Sequence, residues 1–72
     1  MQSVDTGLYR HFKGGIYEVL CAATHTETGE TVIVYRDVNS PEKVWVRPKS
    51  MWFDHIERDG YSGPRFIYVG QK

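Results

Sequence analysis

Apolar and polar residues alternate along this chain in short bursts, and helical spacing is not sustained anywhere. Residues 16–26 (IYEVLCAATHT) are rich in β-branched and aromatic side chains and carry no proline, which predicts a strand long enough to bend across the domain. Residues 31–37 (TVIVYRD) predict another. Between them Glu27-Thr28-Gly29-Glu30 places glycine where the left-handed conformation is easiest, so the two strands should form an antiparallel hairpin. A turn at Asn39-Ser40-Pro41-Glu42 then leads into residues 43–48 (KVWVRP). Side chains alternate across a strand, so Trp45 and Arg47 share one face there, and Val44 and Val46 the other.

The remaining segments are less regular. In residues 8–15 (LYRHFKGG), Tyr9 and Phe12 lie three apart, which suits a single turn or a bent entry segment better than a clean strand, and the paired glycines close it. Pro48 stops the ladder, residues 49–53 predict one short helical turn, and pairing resumes through Arg58. Residues 59–64 (DGYSGP) read as a loop, and residues 65–69 (RFIYV) as the last strand. Four or five short strands at roughly ten-residue spacing predict an all-β fold, a small, highly curved antiparallel barrel whose closure would hide its edges. Residues 8–69 then form a single domain, with 1–7 a flexible N-terminus and 70–72 a tail.

Composition sharpens this picture. A chain of 72 residues has a small core, and three Phe, five Tyr and two Trp compensate by filling much of it from few positions. Nine Lys plus Arg balance nine Asp plus Glu, which argues against the broad basic footprint of a duplex nucleic-acid binder and leaves room only for a local basic site. The single cysteine, Cys21, cannot form an intramolecular disulfide, and its apolar strand context predicts an inert core thiol. No apolar run approaches the roughly 18 residues that span a membrane, and no basic-then-apolar leader opens the sequence, so a cytoplasmic setting is expected. So small a core with so many aromatics is also compatible with a homo-oligomer.

Taken together, YRHFKGGIYEV (residues 9–19), HTETGE (25–30), VYR (34–36), WVRP (45–48), Met51, Phe53 and PRF (64–66) resemble a small bacterial and phage family, domain of unknown function 1653. The resemblance runs from about Leu8 to Val69, and it implies a compact, Src-homology-3-like barrel without an established activity.

Chemistry is sparse. His11, His25 and His55 stand at no metal-ligand spacing from one another or from Cys21, and neither a nucleophile elbow nor a phosphate loop is present, so no metal, cofactor or catalytic residue is assigned. Catalysis would require His11 to meet a carboxylate such as Glu18. The arginines are more informative. Arg10, Arg36, Arg47 and Arg65 each lie within two residues of an aromatic (Tyr9, Tyr35, Trp45 and Phe66), which permits cation–π stacking and bidentate capture of an anion. The competing reading is internal bracing, with Arg36 and Arg47 bound to Glu18, Asp37 or Asp54. Trp52, with Met51 and Phe53, is expected to plug the barrel end, leaving Trp45 to stack on a ligand ring.

The expected function is therefore a small non-enzymatic module that captures an anionic, ring-containing ligand, a nucleotide or oligonucleotide, on a face built from Tyr9, Arg10, His11, Tyr35, Arg36, Trp45, Arg47 and Arg65. The alternative is a protein-interaction module that binds an extended peptide in an aromatic groove. An exposed Val44–Val46 pair in place of Trp45 and Arg47 would count against the ligand site.

Overall fold

The computed structural model describes residues 4–71; the expected flexibility of residues 1–3 and of Lys72 falls outside them. The fold is all-β. Strands β1 (Gly7–His11), β2 (Ile16–Thr24), β3 (Thr31–Asp37), β4 (Ser40–Pro48) and β7 (Phe66–Gly70) form an antiparallel sheet in the order β4-β3-β2-β1-β7. Strands β5 (His55–Arg58) and β6 (Tyr61–Pro64) make a separate hairpin, and a 3-10 turn at Lys49–Met51 joins β4 to it. The antiparallel, strongly β character matches the sequence reading, whereas closure into a barrel does not occur: among the described residues no ladder joins β4 to β7. The chain after Pro48 folds over one face of the sheet instead, which covers the core without completing a ring of hydrogen bonds.

Pairing register sets the faces. Tyr9 lies opposite Tyr17, Val19 opposite Tyr35, and Tyr35 opposite Trp45, so Tyr9, Tyr17, Val19, Tyr35 and Trp45 all point to the inner face. Tyr9, Val19, Ile33 and Phe66 are buried there under Trp52, which is 0 % exposed. The plug role expected of Trp52 is thus met, by covering a sheet face rather than a barrel end. Val4 packs against this cluster, and the first strand begins at Gly7.

Four local expectations are corrected. Residues 7–11 form a regular strand, because the period that matters is Gly7-Tyr9-His11 facing inward at every second position, with Phe12 already beyond the ladder. The β3–β4 turn falls two residues earlier than the expected 39–42: Asp37 pairs with Ser40, Asp37 Oδ1 accepts from the Asn39 N–H, and Pro41 and Glu42 are absorbed into β4 at an irregularity. Residues 61–64 are a strand, since Asp59 (φ 53°) and Gly60 (φ 81°) alone supply a tight two-residue turn. Cys21 is exposed rather than buried. A bulge between Val19 and Cys21 inserts Leu20, so Cys21 pairs with Val34 on the outer face, where strict alternation after Val19 would have turned it inward.

Candidate functional site

Above the core, the inner face opens into a groove of about 370 Å³ lined by His11, Tyr17, Tyr35, Trp45, Val46, Arg47, Arg65 and Phe66. All five strands of the larger sheet and one junction contribute. β2 and β3 supply Tyr17 and Tyr35, whose rings meet at 5.8 Å and 72°. β4 supplies Trp45, 6.0 Å from Tyr17 and 5.9 Å from Tyr35, and Arg47 two residues along the same face. The floor is Phe66, edge-on to Tyr17 at 5.8 Å and to His11 at 5.1 Å.

Arg65 sits where the two sheets join. Its backbone N–H donates to the Asp54 carbonyl and its own carbonyl accepts from the Phe12 N–H, so the residue extends the β5–β6 ladder on one side and the β1–β7 ladder on the other. That double anchoring aims its side chain toward Arg47. A single carboxylate, Asp54, lies near both guanidiniums, at 3.6 Å from Arg47 Nη2 and 3.9 Å from Arg65 Nη2. Arg47 Nε also donates to the Met51 carbonyl, at 3.2 Å. Arg65 Nε is buried and has no hydrogen-bond acceptor among the described residues, a condition that costs roughly 1–3 kcal/mol.

The electrostatics follow from burial and from these two cations. Burial, then the positive charges of Arg65, Lys13 and Arg47, hold the His11 pKa below its ordinary value. Its Nδ1 accepts from the Lys13 N–H at 3.1 Å, which places the proton of the neutral ring on Nε2. Burial raises the Tyr35 pKa while Arg47 pulls it the other way. Burial and Arg47 depress the Arg65 pKa, opposed by Asp54.

Of the residues singled out from sequence, the groove brings together His11, Tyr35, Trp45, Arg47 and Arg65. Tyr9 is instead a core residue whose hydroxyl donates to the Asp5 carbonyl at 2.8 Å. Arg10 is exposed on the outer face, because it follows inward-facing Tyr9. Arg36 also lies on the outer face, where its Nε and Nη2 both reach Glu18 Oε1 at 2.9 Å. The bracing reading therefore holds for Arg36. It also separates Glu18 from His11 by the thickness of the sheet, so that pair forms no acid–base couple. Phe12 is the ring that takes the described cation–π contacts, from Lys13 and Arg58. His25 is a turn residue, its Nδ1 accepting from the N–H groups of Glu27 and Thr28.

Val44 and Val46 are 50 % and 61 % exposed, yet Trp45 is also 40 % exposed and lines the groove. Both faces of β4 reach solvent, since it is an outer strand of a sheet one layer thick. Tyr17 and Phe66 belong to the groove although the sequence reading left them out. The signal for Tyr17 lay in its two-residue spacing from Val19, and for Phe66 in its adjacency to Arg65; both needed the strand register.

A family model described as "Protein of unknown function (DUF1653)" matches residues 7–68. The fold is similar to the crystal structure of a DUF1653 protein from Bordetella bronchiseptica, with a TM-score of 0.87 and 34 % identity over 100 % of this chain and 95 % of that one. No curated protein matches the sequence.

Proposed function

The chain belongs to the DUF1653 family, and from that premise, which supplies a shared fold without a chemistry, we propose that it is a small non-enzymatic binding module for an anionic, ring-containing ligand, a nucleotide or an oligonucleotide. The observation that carries this reading is the meeting of Arg47 and Arg65 with the Tyr17, Tyr35 and Trp45 rings in one open groove. Guanidinium groups can grip a phosphate or carboxylate in a planar fork, and an exposed indole offers a stacking face to any base. The balanced net charge favours a mononucleotide or a strand end over a long duplex. A cytoplasmic setting suits both this ligand class and the exposed thiol of Cys21, which would stay reduced there.

Titration calorimetry of the wild type, Arg47→Ala and Arg36→Ala against a nucleotide panel tests the proposal. Binding by the wild type and by Arg36→Ala, with loss in Arg47→Ala, is expected; an absence of heat with every wild-type pairing would sink it. A second reading, capture of an extended peptide, draws on one feature: β4 is an outer strand whose far edge pairs with no strand among the described residues, and Trp45 stands on it. Recovery of a defined protein partner by the wild type, with no nucleotide binding, would favour that reading.

A further inference from the structure

The two groove arginines carry more hydrogen-bonding capacity than their surroundings use. Each guanidinium has five N–H donors. Between them the described partners are the Met51 carbonyl and the Tyr35 hydroxyl, both to Arg47, and one carboxylate, that of Asp54, which lies at 3.6 and 3.9 Å, outside good hydrogen-bonding distance. Arg65 Nε is buried without an acceptor. That buried nitrogen is out of a ligand's reach, so an incoming anion meets the terminal guanidinium nitrogens of Arg47 and Arg65, whose donors outnumber their described partners.

The charge available to it is set by Asp54. Arg47 and Arg65 bring two positive charges to the groove wall, and Asp54, the one carboxylate beside both among the described residues, cancels one of them. Lys13 and Arg58 lie over the Phe12 ring at 5.8 and 6.0 Å; neither lines the groove, and their charges reach it only from its rim, at His11 and Arg65 respectively. Glu18 is on the far face with Arg36. A ligand with one negative charge balances what remains at the wall, whereas the second charge of a doubly charged group would be set against the Asp54 carboxylate.

We propose that Asp54 is a specificity-determining residue that makes the Arg47–Arg65 groove prefer singly charged anionic heads, such as a phosphodiester or a carboxylate, over doubly charged phosphomonoesters. This inference rests on the nucleotide-binding reading above. A paired carboxylate is a general means of rejecting the wrong charge without altering the shape of a site.

Cyclic adenosine monophosphate and adenosine monophosphate share a base and differ in charge, because the second ionisation of a phosphomonoester lies near about pH 6 and is complete at about pH 8. Titration calorimetry of both at alkaline pH is expected to show wild-type preference for the cyclic form by about two- to fivefold, the scale of one partly exposed ion pair. Asp54→Asn should abolish or reverse that ratio, and Asp54→Glu should keep it. The backbone carbonyl that Asp54 offers to Arg65 survives both changes, and circular dichroism checks folding. Without any variant, raising the salt concentration should shrink the wild-type ratio, as screening weakens a charge-based preference. Equal wild-type affinities, a ratio unmoved by Asp54→Asn, or one indifferent to salt would overturn the role of Asp54 while leaving nucleotide binding intact. Binding of neither nucleotide would overturn this inference, and failure across the whole nucleotide panel would remove the reading beneath it.

Discussion

The indole of Trp52 lies flat on the ring of Phe66, with centroids 4.1 Å apart and planes inclined by 5°. Trp52 is wholly buried and Phe66 forms the groove floor, so the stack joins the core to the candidate site. The same indole meets Tyr9 edge-on at 5.4 Å and Tyr35 at 5.0 Å, which places it at the centre of the aromatic cluster. Trp52→Ala should lower stability by about 3–5 kcal/mol, close to the whole stability of many domains this small. Trp52→Phe, which keeps a stacking ring and removes the buried, unpartnered Nε1, should cost clearly less. Urea unfolding midpoints measure the difference, and equal losses would deny the stack its role.

Gly7 and Gly29 both have positive φ, at 127° and 75°, but only Gly7 is crowded. A Cβ at position 7 would come within 2.7 Å of the Gly70 carbonyl oxygen and 3.1 Å of the Tyr68 ring, forcing β1 and β7 apart next to their register shift. Nothing stands within 4 Å of a Cβ at position 29. Gly29→Ala should therefore cost about 1–2 kcal/mol from backbone conformation alone, and Gly7→Ala distinctly more. Thermal unfolding of the two variants side by side checks the order.

His11 should impose a pH dependence on stability. Its pKa is lower in the folded chain than in the unfolded one, through burial and then the charges of Arg65, Lys13 and Arg47. The unfolded chain therefore binds the proton more readily over the interval between the two values. The corresponding stability is fully present above the ordinary His value near 6.5 and declines as the pH falls through the folded one. His11→Asn, whose side-chain oxygen can replace Nδ1 as acceptor for the Lys13 N–H, should flatten that part of the curve. Denaturant midpoints for both proteins across mildly acidic pH decide it, and parallel curves would count against His11 as the source.

The sequence by itself determined the all-β character, the strands on either side of the 27–30 hairpin and the short helical turn after Pro48, because β-branched runs, glycine-bearing turns and a proline act locally and need no distant partner, whereas the strands at Gly7–His11 and Tyr61–Pro64 escaped it. It also determined that Trp45 and Arg47 share a face, since alternation is intrinsic to a strand. Tertiary structure decided the rest. The Leu20 bulge reversed the faces of β2 beyond Val19 and exposed Cys21, and no local signal marks a bulge. Register alone sent Arg36 outward to Glu18 while Arg47 entered the groove, although both arginines stand beside aromatics in sequence. The joining of the two sheets at Arg65 placed a second guanidinium opposite the first, 18 residues away in the chain. The fold's local vocabulary is written in adjacent residues, and the groove depends on pairings that only long-range strand register can fix.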